Sequence, residues 1–186
     1  MTDENSVSTP EWETIEQVFD ALESPLLMYA RRLLGDFNAS EDIVQEASLR
    51  AYRSIDTFRG ENARAWFLMI VRNSAYSWLT KHRDSVLVSF EELDSESRAE
   101  AELGGALFNA EPESPERSLI TQAERSDLEQ AISSLPMPFR EVVVLRDIQG
   151  LSYHEIAAVA GIAIGTVMSR LARGRRRLIH TLRKGA

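Results

Sequence analysis

The C-terminal quarter of the chain contains a set of side chains that can bind a polynucleotide. A helix from Thr166 to about Arg183 would rotate about 100° per residue and would gather these side chains on one side. The set consists of Thr166, Ser169, Arg173 and Arg176, with Arg170 and Arg177 beside them. Arginine can form two hydrogen bonds with one guanine, and serine or threonine can bind a base or a phosphate. We interpret the six residues as a candidate surface for duplex DNA.

The residues before this helix contain signals for a short helix and a tight turn. Ser152 and Glu155 have the spacing of a capping box. Gly161 can adopt a left-handed conformation that would strain other residues, and Val167 and Leu171 give the next helix an apolar face. The pattern predicts a helix-turn-helix, whose second helix enters the major groove. The alternative, a basic surface helix on a helical bundle, does not explain why cap, turn and basic face coincide.

A second basic region lies between residues 51 and 83, where six basic side chains accompany two acidic ones. Aromatic side chains are interleaved with these arginines and lysine, among them Phe58, Trp66, Tyr76 and Trp78. Basic grooves with stacking aromatics suit unpaired nucleic acid. Aromatics at helical spacing are more often core residues, and we assign Trp66, Phe67 and Ile70 to the core. From the residues alone, single-strand binding and a plain core helix both remain open.

The helix expected at residues 41–55 has two dissimilar sides. The predicted core stripe is Val44, Ala47, Ala51 and Ile55. The other side carries Asp42, Gln45, Glu46, Leu49 and Arg53. A leucine exposed among acidic side chains and a glutamine suggests a protein-docking surface. The pattern taken alone also fits an ordinary solvated face.

Charge is strongly segregated along this chain of 186 residues and net charge −8. Residues 1–50 hold three basic and eleven acidic side chains, and residues 84–130 hold three and thirteen. Residues 136–186 hold nine basic and three acidic side chains. Because screening limits a surface charge to about 8–10 Å, local charge governs phosphate binding and the acidic total does not exclude a nucleic-acid partner. An ordinary solvated surface would show weaker segregation.

The sequence pattern predicts an all-α protein. Two small helical domains, at residues 1–84 and 116–186, are joined by a flexible acidic linker at residues 85–115. We expect a helix or helix pair at residues 11–34 that is interrupted near Pro25, a helix at residues 41–55 capped by Ser40, and a loop at residues 56–62. Further helices are predicted at residues 63–83, 116–134, 138–148, 152–160 and 166–183. No apolar run reaches the ~18 residues of a membrane span, and residues 1–15 do not resemble a signal peptide. We expect a cytoplasmic protein without membrane insertion.

Sequence signals for catalysis are absent. His82, His154 and His180 lie far apart, none has a ligand-spaced partner, and there is no glycine-rich phosphate loop. The chain has no cysteine, which excludes a disulfide, a thiolate zinc site and a cysteine nucleophile. We therefore expect no enzyme activity, no catalytic residue, no metal and no cofactor.

Three stretches together resemble the bacterial extracytoplasmic-function sigma factors of the sigma-70 family. The first is Arg31–Asp36 followed by Ala39–Ala47, similar to the family's polymerase-binding segment. The second, similar to its −10 region, is Phe58-Arg59-Gly60 with Ala65–Phe67 and Ile70–Asn73. The third, similar to its −35 domain, comprises Leu135-Pro136, Phe139–Arg146 and Leu151–Leu178.

The resemblance implies that the helix with Asp42 docks on the clamp of the largest subunit of core RNA polymerase, that another contact is made with the flap, and that an anti-sigma factor controls the protein. The first domain would melt promoter DNA at −10 and hold the non-template strand, and the 56–62 loop would select a flipped base. Its −10 residues would be Arg59, Gly60, Glu61, Asn62, Arg64, Arg72, Asn73, Tyr76 and Lys81. The six residues of the helix-turn-helix would read −35.

Two positions depart from the family pattern. Ala163 stands where a proline is common before the recognition helix, and Met168 stands where a lysine often follows the valine. The first change loosens the turn slightly, and the second removes one phosphate contact or alters promoter preference. The alternative function is a stand-alone helix-turn-helix regulator, which would bind operators as a dimer and would leave the Asp42 helix unexplained.

Overall fold

The computed structural model describes residues 15–58, 62–82 and 122–185, and all regular structure within these ranges is helical. The helices are α1 (Ile15–Leu34), α2 (Phe37–Arg53), α3 (Ala63–His82), α4 (Gln122–Ser134), α5 (Met137–Val143), α6 (Tyr153–Ala160) and α7 (Ile164–Gly185). A 3₁₀ turn at Ile55–Thr57 follows α2, and a π-helical turn at Val144–Ile148 follows α5. The predicted all-helical class is confirmed, and the acidic linker lies outside the described residues.

Helix α1 runs through Pro25 without a break, so the predicted interruption there is wrong. Proline removes one intrahelical hydrogen bond, at a cost of about 3 kcal/mol. Leu22, Leu26 and Tyr29 are buried on both sides of the proline, and this packing holds the helix together. The helix ends where Gly35 takes a φ of 68°, a conformation that favours glycine.

Helix α2 begins four residues earlier than predicted. Its N-cap is Asp36, whose Oδ1 accepts a hydrogen bond from Ala39 N at 2.9 Å. Ser40, the predicted cap, is buried inside the helix and donates to the Asp36 carbonyl oxygen. The predicted core position Ile55 is also wrong: it is 36% exposed, because α2 ends at Arg53 and the 3₁₀ turn breaks the helical register.

Helix α3 agrees with the predicted 63–83 helix to within one residue at its end. Phe67 is buried and meets Phe19 of α1 edge-on at a centroid distance of 4.9 Å. Trp66 and Ile70 pack partly buried against the same core, so the assignment of these three residues is confirmed. Because α3 contacts α1 and α2 on one side and α6 on another, it has apolar residues around much of its circumference.

The C-terminal half (residues 122–185) is a compact four-helix unit. The predicted helix at residues 138–148 is α5 continued by the π-helical turn, in which Gln149 N donates to Val144 O at 2.9 Å. Helix α7 packs against both α5 and α6, helix α6 also contacts the π-helical turn, and Leu145, Ile156 and Leu171 are buried. The first residues of the predicted helix 116–134 lie outside the described part of the chain.

The N-terminal half (residues 15–82) packs directly against the C-terminal half. Helix α1 contacts α4, α5 and the π-helical turn, and α3 contacts α6. Arg140 donates to the carbonyl oxygen of Leu33 at 3.1 Å, and thus binds the negative end of α1. The sequence suggested two loosely linked domains, whereas the structure has them in one packed arrangement.

Among the described helices none is long and apolar enough to span a membrane singly. Helices α6 and α7 reach the required length and hydropathy only as a pair, and that pair is bent by 100°.

Gly174 lets α7 approach α5 closely. A Cβ at this position would lie 2.7 Å from Cγ2 of Val143 and 3.4 Å from the carbonyl oxygen of Phe139. We expect Gly174→Ala to lower the free energy of unfolding by about 1–2 kcal/mol, because overpacking outweighs the better helix propensity of alanine. Urea denaturation measures the change.

Gly165 provides the matched control, because a Cβ there meets no atom within 4 Å. We expect Gly165→Ala to change the free energy of unfolding by no more than about 0.5 kcal/mol. Equal stability of the two variants would show that the α5–α7 contact is loose.

Candidate nucleic-acid and protein interfaces

The outward side of α2 is a continuous exposed surface, which we call the α2 face. Its members are the five predicted docking residues, Asp42, Gln45, Glu46, Leu49 and Arg53, all of them exposed. Leu49 is 56% exposed, and Tyr52, which the sequence reasoning missed, is 63% exposed. The signal for Tyr52 was present, since it follows Leu49 by three residues on the same helix side. Large apolar side chains among charges fit a protein-binding surface.

A groove beside the α2 face extends this surface toward α1. It is lined by Phe19, Glu23, Asp42 and Gln45, among others. The Glu46 carboxylate is bound by Arg50 one turn later on α2. The face therefore combines acidic groups, an apolar centre and a concave edge.

The helix-turn-helix forms with the predicted local chemistry. Ser152 Oγ accepts from Glu155 N at 3.3 Å, and Glu155 Oε2 accepts from Ser152 N at 2.7 Å, which completes the capping box. Gly161 ends α6 with a φ of 67°, and Val167 and Leu171 are buried. All five predicted frame residues thus have the expected geometry.

The six predicted DNA contacts on α7 differ in exposure. Arg176 and Arg177 are exposed, and Thr166, Ser169 and Arg173 are half-buried. Arg170 is only 6% exposed, so in this conformation its side chain faces the protein interior instead of solvent. Met168, the departure from the family pattern, is 50% exposed.

Further contacts of α7 fix it against α5 and the π-helical turn. The Arg177 guanidinium lies 5.1 Å from the ring centroid of Phe139. Arg175 donates from Nε to Asp147 at 3.1 Å, and this hydrogen bond raises the pKa of Arg175. The sequence reasoning did not identify Arg175, whose place on the helix points it away from the predicted DNA surface.

The predicted −10 residues of the first domain divide into three groups. Asn73 and Lys81 are exposed on α3. Asn62, Arg64, Arg72 and Tyr76 each hydrogen-bond to a side chain of the C-terminal half. Arg59, Gly60 and Glu61 lie outside the described residues.

Glu141 of α5 is the centre of the contact with α3. Its side chain is fully buried, accepts a hydrogen bond from Arg72 Nε, and accepts another from Tyr76 Oη at 3.0 Å. Burial raises the pKa of Glu141, and the Arg72 guanidinium opposes this shift without cancelling it. The charge of Arg170 also favours the ionised carboxylate. We call Glu141, Arg72 and Tyr76 the Glu141 cluster.

The two tyrosines nearest this carboxylate are held neutral. Burial and the negative charge of Glu141 raise the pKa of Tyr76, and the same two causes raise the pKa of Tyr29. For Arg72, burial lowers the pKa, but attraction to Glu141 outweighs it and the pKa is raised. The cluster therefore holds a charged pair and a neutral hydroxyl donor.

Two further side chains of the C-terminal half extend the contact. Gln149 Oε1 accepts from Arg64 at 2.5 Å, and its Nε2 donates to the Pro25 carbonyl oxygen at 3.0 Å. Glu155 accepts from Asn62 while it completes the α6 capping box. Burial raises the pKa of Glu155, but hydrogen bonds from Ser152 and Asn62 outweigh it, and the pKa is lowered.

The sequence reasoning missed both Glu141 and Gln149. Glu141 offered a signal, because it is a lone carboxylate in the run Phe139–Leu145, which is otherwise apolar apart from Arg140. A charge in such a run is buried only when a cation pairs with it. Nothing in the sequence indicated that the cation comes from the other domain.

Comparison with known proteins places both halves in one family. The family model for Sigma-70 region 2 matches residues 18–85, and the model for Sigma-70, region 4 matches residues 125–178. The ECF RNA polymerase sigma-E factor of Escherichia coli K12 is 38% identical over 135 residues, covering 72% of this chain and 69% of that protein. The ECF RNA polymerase sigma factor SigE of Mycolicibacterium smegmatis is 33% identical over 97% of this chain and 65% of its own length.

Solved structures show the same likeness. The sigma factor RpoE of Bartonella quintana, in complex with the anti-sigma factor NepR, matches with a TM-score of 0.64 and 27% identity over 90% of this chain and 96% of that one. CnrH in complex with the cytosolic domain of CnrY shares the fold, with a TM-score of 0.62 at 22% identity over 92% of this chain and 88% of that one. The chain belongs to the extracytoplasmic-function group of sigma-70 family RNA polymerase sigma factors.

Proposed function

We propose that this sigma factor directs core RNA polymerase to promoters through two DNA contacts and one protein contact, all carried by this chain. The observation that carries the proposal is the coexistence of a helix-turn-helix with an exposed basic recognition helix and a separate apolar-acidic α2 face. A stand-alone repressor or activator needs the first surface and has no use for the second.

The α2 face is proposed to dock on the clamp of the polymerase's largest subunit. Its exposed Leu49 and Tyr52 supply apolar area at the centre, and Asp42 and Glu46 supply negative charge around it. An apolar centre with a polar rim is the common anatomy of a protein interface. The flap remains a second predicted contact, to which no side chain is assigned.

Helix α7 is proposed to read −35 as duplex in the major groove. Arg176 and Arg177 are proposed to make the first contacts, because their side chains are exposed. Thr166, Ser169 and Arg173 are half-buried at the same side, and Arg170 would reach DNA only after leaving its buried position.

Helix α3 and the preceding loop are proposed to hold the single strand at −10. Asn73 and Lys81 are accessible in this structure, whereas Arg64, Arg72 and Tyr76 are engaged by the C-terminal half. Arg59, Gly60 and Glu61 keep their role as predictions from the sequence.

Control by an anti-sigma factor is also proposed. The sigma factor RpoE of Bartonella quintana, which matches 90% of this chain, was solved in complex with the anti-sigma factor NepR. A partner of this kind would cover the α2 face, because an exposed apolar surface is the part of the molecule that most readily binds protein.

Reconstitution with core polymerase tests the function. The chain, core enzyme and fragmented genomic DNA of the source organism are combined, and transcript starts are sequenced. We expect starts that share two upstream elements, and no starts with core enzyme alone. Tight operator binding by the isolated chain as a dimer, without recruitment of core enzyme, would favour the regulator instead.

Asp42→Arg tests the α2 face. We expect core binding to weaken about ten-fold or more, since charge reversal at an interface produces like-charge repulsion. Co-purification with core polymerase measures the effect. Asp127→Arg is the matched control, because Asp127 is an exposed acid on α4, away from α2. Normal co-purification of Asp42→Arg would remove the α2 face from the interface.

Arg176→Ala tests the recognition helix. We expect initiation from promoters with a −35 element to fall roughly 5- to 100-fold, the equivalent of one base or phosphate contact, while core binding is unchanged. Arg183→Ala is the control, since it removes the same charge from an exposed position two turns later on α7. Equal losses in the two variants would indicate nonspecific charge attraction.

A further inference from the structure

The first three turns of α7 present one large side chain to solvent. Within residues 164–175, all of which the structure describes, only Gly165 and Met168 are exposed, and glycine has no side chain. Met168 is 50% exposed, whereas the polar side chains of the same stretch are half-buried or, at Arg170, buried. A molecule that approaches this end of the helix therefore meets Met168 first.

This end of α7 is also the end that faces bases. In a helix-turn-helix, the N-terminal residues of the second helix contact the base edges. Arg176, the first exposed arginine of α7, follows Met168 by eight residues, or about 12 Å along the helix axis. Because the major groove is about 12 Å wide, a helix that places Met168 among the bases places Arg176 and Arg177 near the phosphates at the groove edge.

The chemistry of a thioether restricts what Met168 can recognise. It has no N–H or O–H to donate and is only a weak acceptor, so it gains little from a phosphate or from a polar base edge. The apolar group that bases present in the major groove is the C5 methyl of thymine. An unbranched, polarizable side chain can adapt its shape to such a group. The partner that best fits Met168 on DNA is therefore a thymine methyl.

The surroundings of Met168 favour DNA over a protein as its partner. Ala172 lies one turn later on the same side and is half-buried, so the apolar surface extends over two side chains only. Helix α7 carries seven arginines and lysines and no acidic side chain. A small apolar patch on a helix of this charge suits a polyanion that presents single methyl groups.

We propose that Met168 contributes to promoter preference by contacting the C5 methyl group of one thymine in the −35 element. The proposal rests on the proposed function, because it assumes that α7 lies in the major groove at −35. It adds a specificity-determining residue with an apolar mode of recognition to the polar contacts assigned to α7. Since the methyl group is the ligand, 5-methylcytosine should offer the same contact as thymine.

Selection from a promoter library provides the first test. Core polymerase with the full chain transcribes templates whose −35 element is randomised, and the productive templates are sequenced. We expect the unmodified chain to favour thymine at one position of the element. Met168→Ala should weaken that preference about four-fold, the factor expected for burial of one methyl group, and should leave the other positions unchanged.

Two further variants serve as controls for this selection. Met168→Leu keeps an apolar side chain of similar size and should retain the thymine preference. Ile179→Ala removes the other large apolar side chain exposed on α7, at 42% exposure, eleven residues or about 16 Å further along the axis. This position lies beyond the groove, so the variant should select the same element as the unmodified chain.

A base series at the selected position provides the decisive test. Four otherwise identical templates carry thymine, uracil, 5-methylcytosine or cytosine there, so that each pair differs by one methyl group. We expect the methyl group to raise initiation about four-fold in both pairs with the unmodified chain, and less than about two-fold with Met168→Ala. Equal methyl effects in the two proteins, or no thymine preference in the unmodified chain, would overturn the proposal.

Binding without polymerase separates this inference from the proposed function. The selection and the base series are repeated on duplex DNA bound by the full chain alone. A methyl effect that Met168→Ala abolishes there supports the contact even if the reconstituted polymerase does not initiate, a failure that would contradict only the sigma-factor role. Initiation with equal methyl effects in both proteins keeps that role and contradicts the contact. A chain that neither initiates nor binds duplex DNA contradicts both.

Discussion

A carboxylate transferred from water into a protein interior is tolerated only when cations and hydrogen-bond donors surround it. Glu141 is in that position, at 0% exposure in a helix that also buries Phe139, Val142 and Val143. The C-terminal half contributes Arg170 nearby, but the hydrogen bonds come from Arg72 and Tyr76 of the other half. The packed arrangement of the two halves therefore supplies the donors that this buried carboxylate needs, beside the apolar residues of both halves that form one buried cluster. Arg140 and Gln149 then add contacts that are possible only in the same arrangement.

The geometry of the helix-turn-helix depends more on local interactions than on contacts between distant parts of the chain. Its cap, its left-handed glycine and its buried Val167 and Leu171 are all set by residues close together in the chain. The same Glu155 that completes the cap also accepts from Asn62 of the other half. One side chain thus serves both the local turn and the contact between halves, so its substitution would affect both.

The sequence was most informative where a signal is local and repeated. The capping box at Ser152, the Gly161 turn and the exposed side of α2 around Leu49 could all be predicted from spacing. Predictions failed where a stronger nearby signal competed: Asp36 caps α2 in place of Ser40, and packing of Leu22 and Leu26 carries α1 through Pro25. The contact between halves could not be predicted, because the partners of Glu141 lie 65 and 69 residues away in sequence. Periodicity carries no information over that separation.

The close approach at Gly174 has a mechanical consequence. With no side chain between them, α7 and α5 are in near-backbone contact, and Arg177 and Arg175 bind α7 further to Phe139 and Asp147. The recognition helix and Glu141 accordingly belong to one rigid body. A partner that holds α7 at a fixed site would therefore fix the position of Glu141 as well, and any movement of α7 would act directly on the contacts of Arg72 and Tyr76 with that carboxylate.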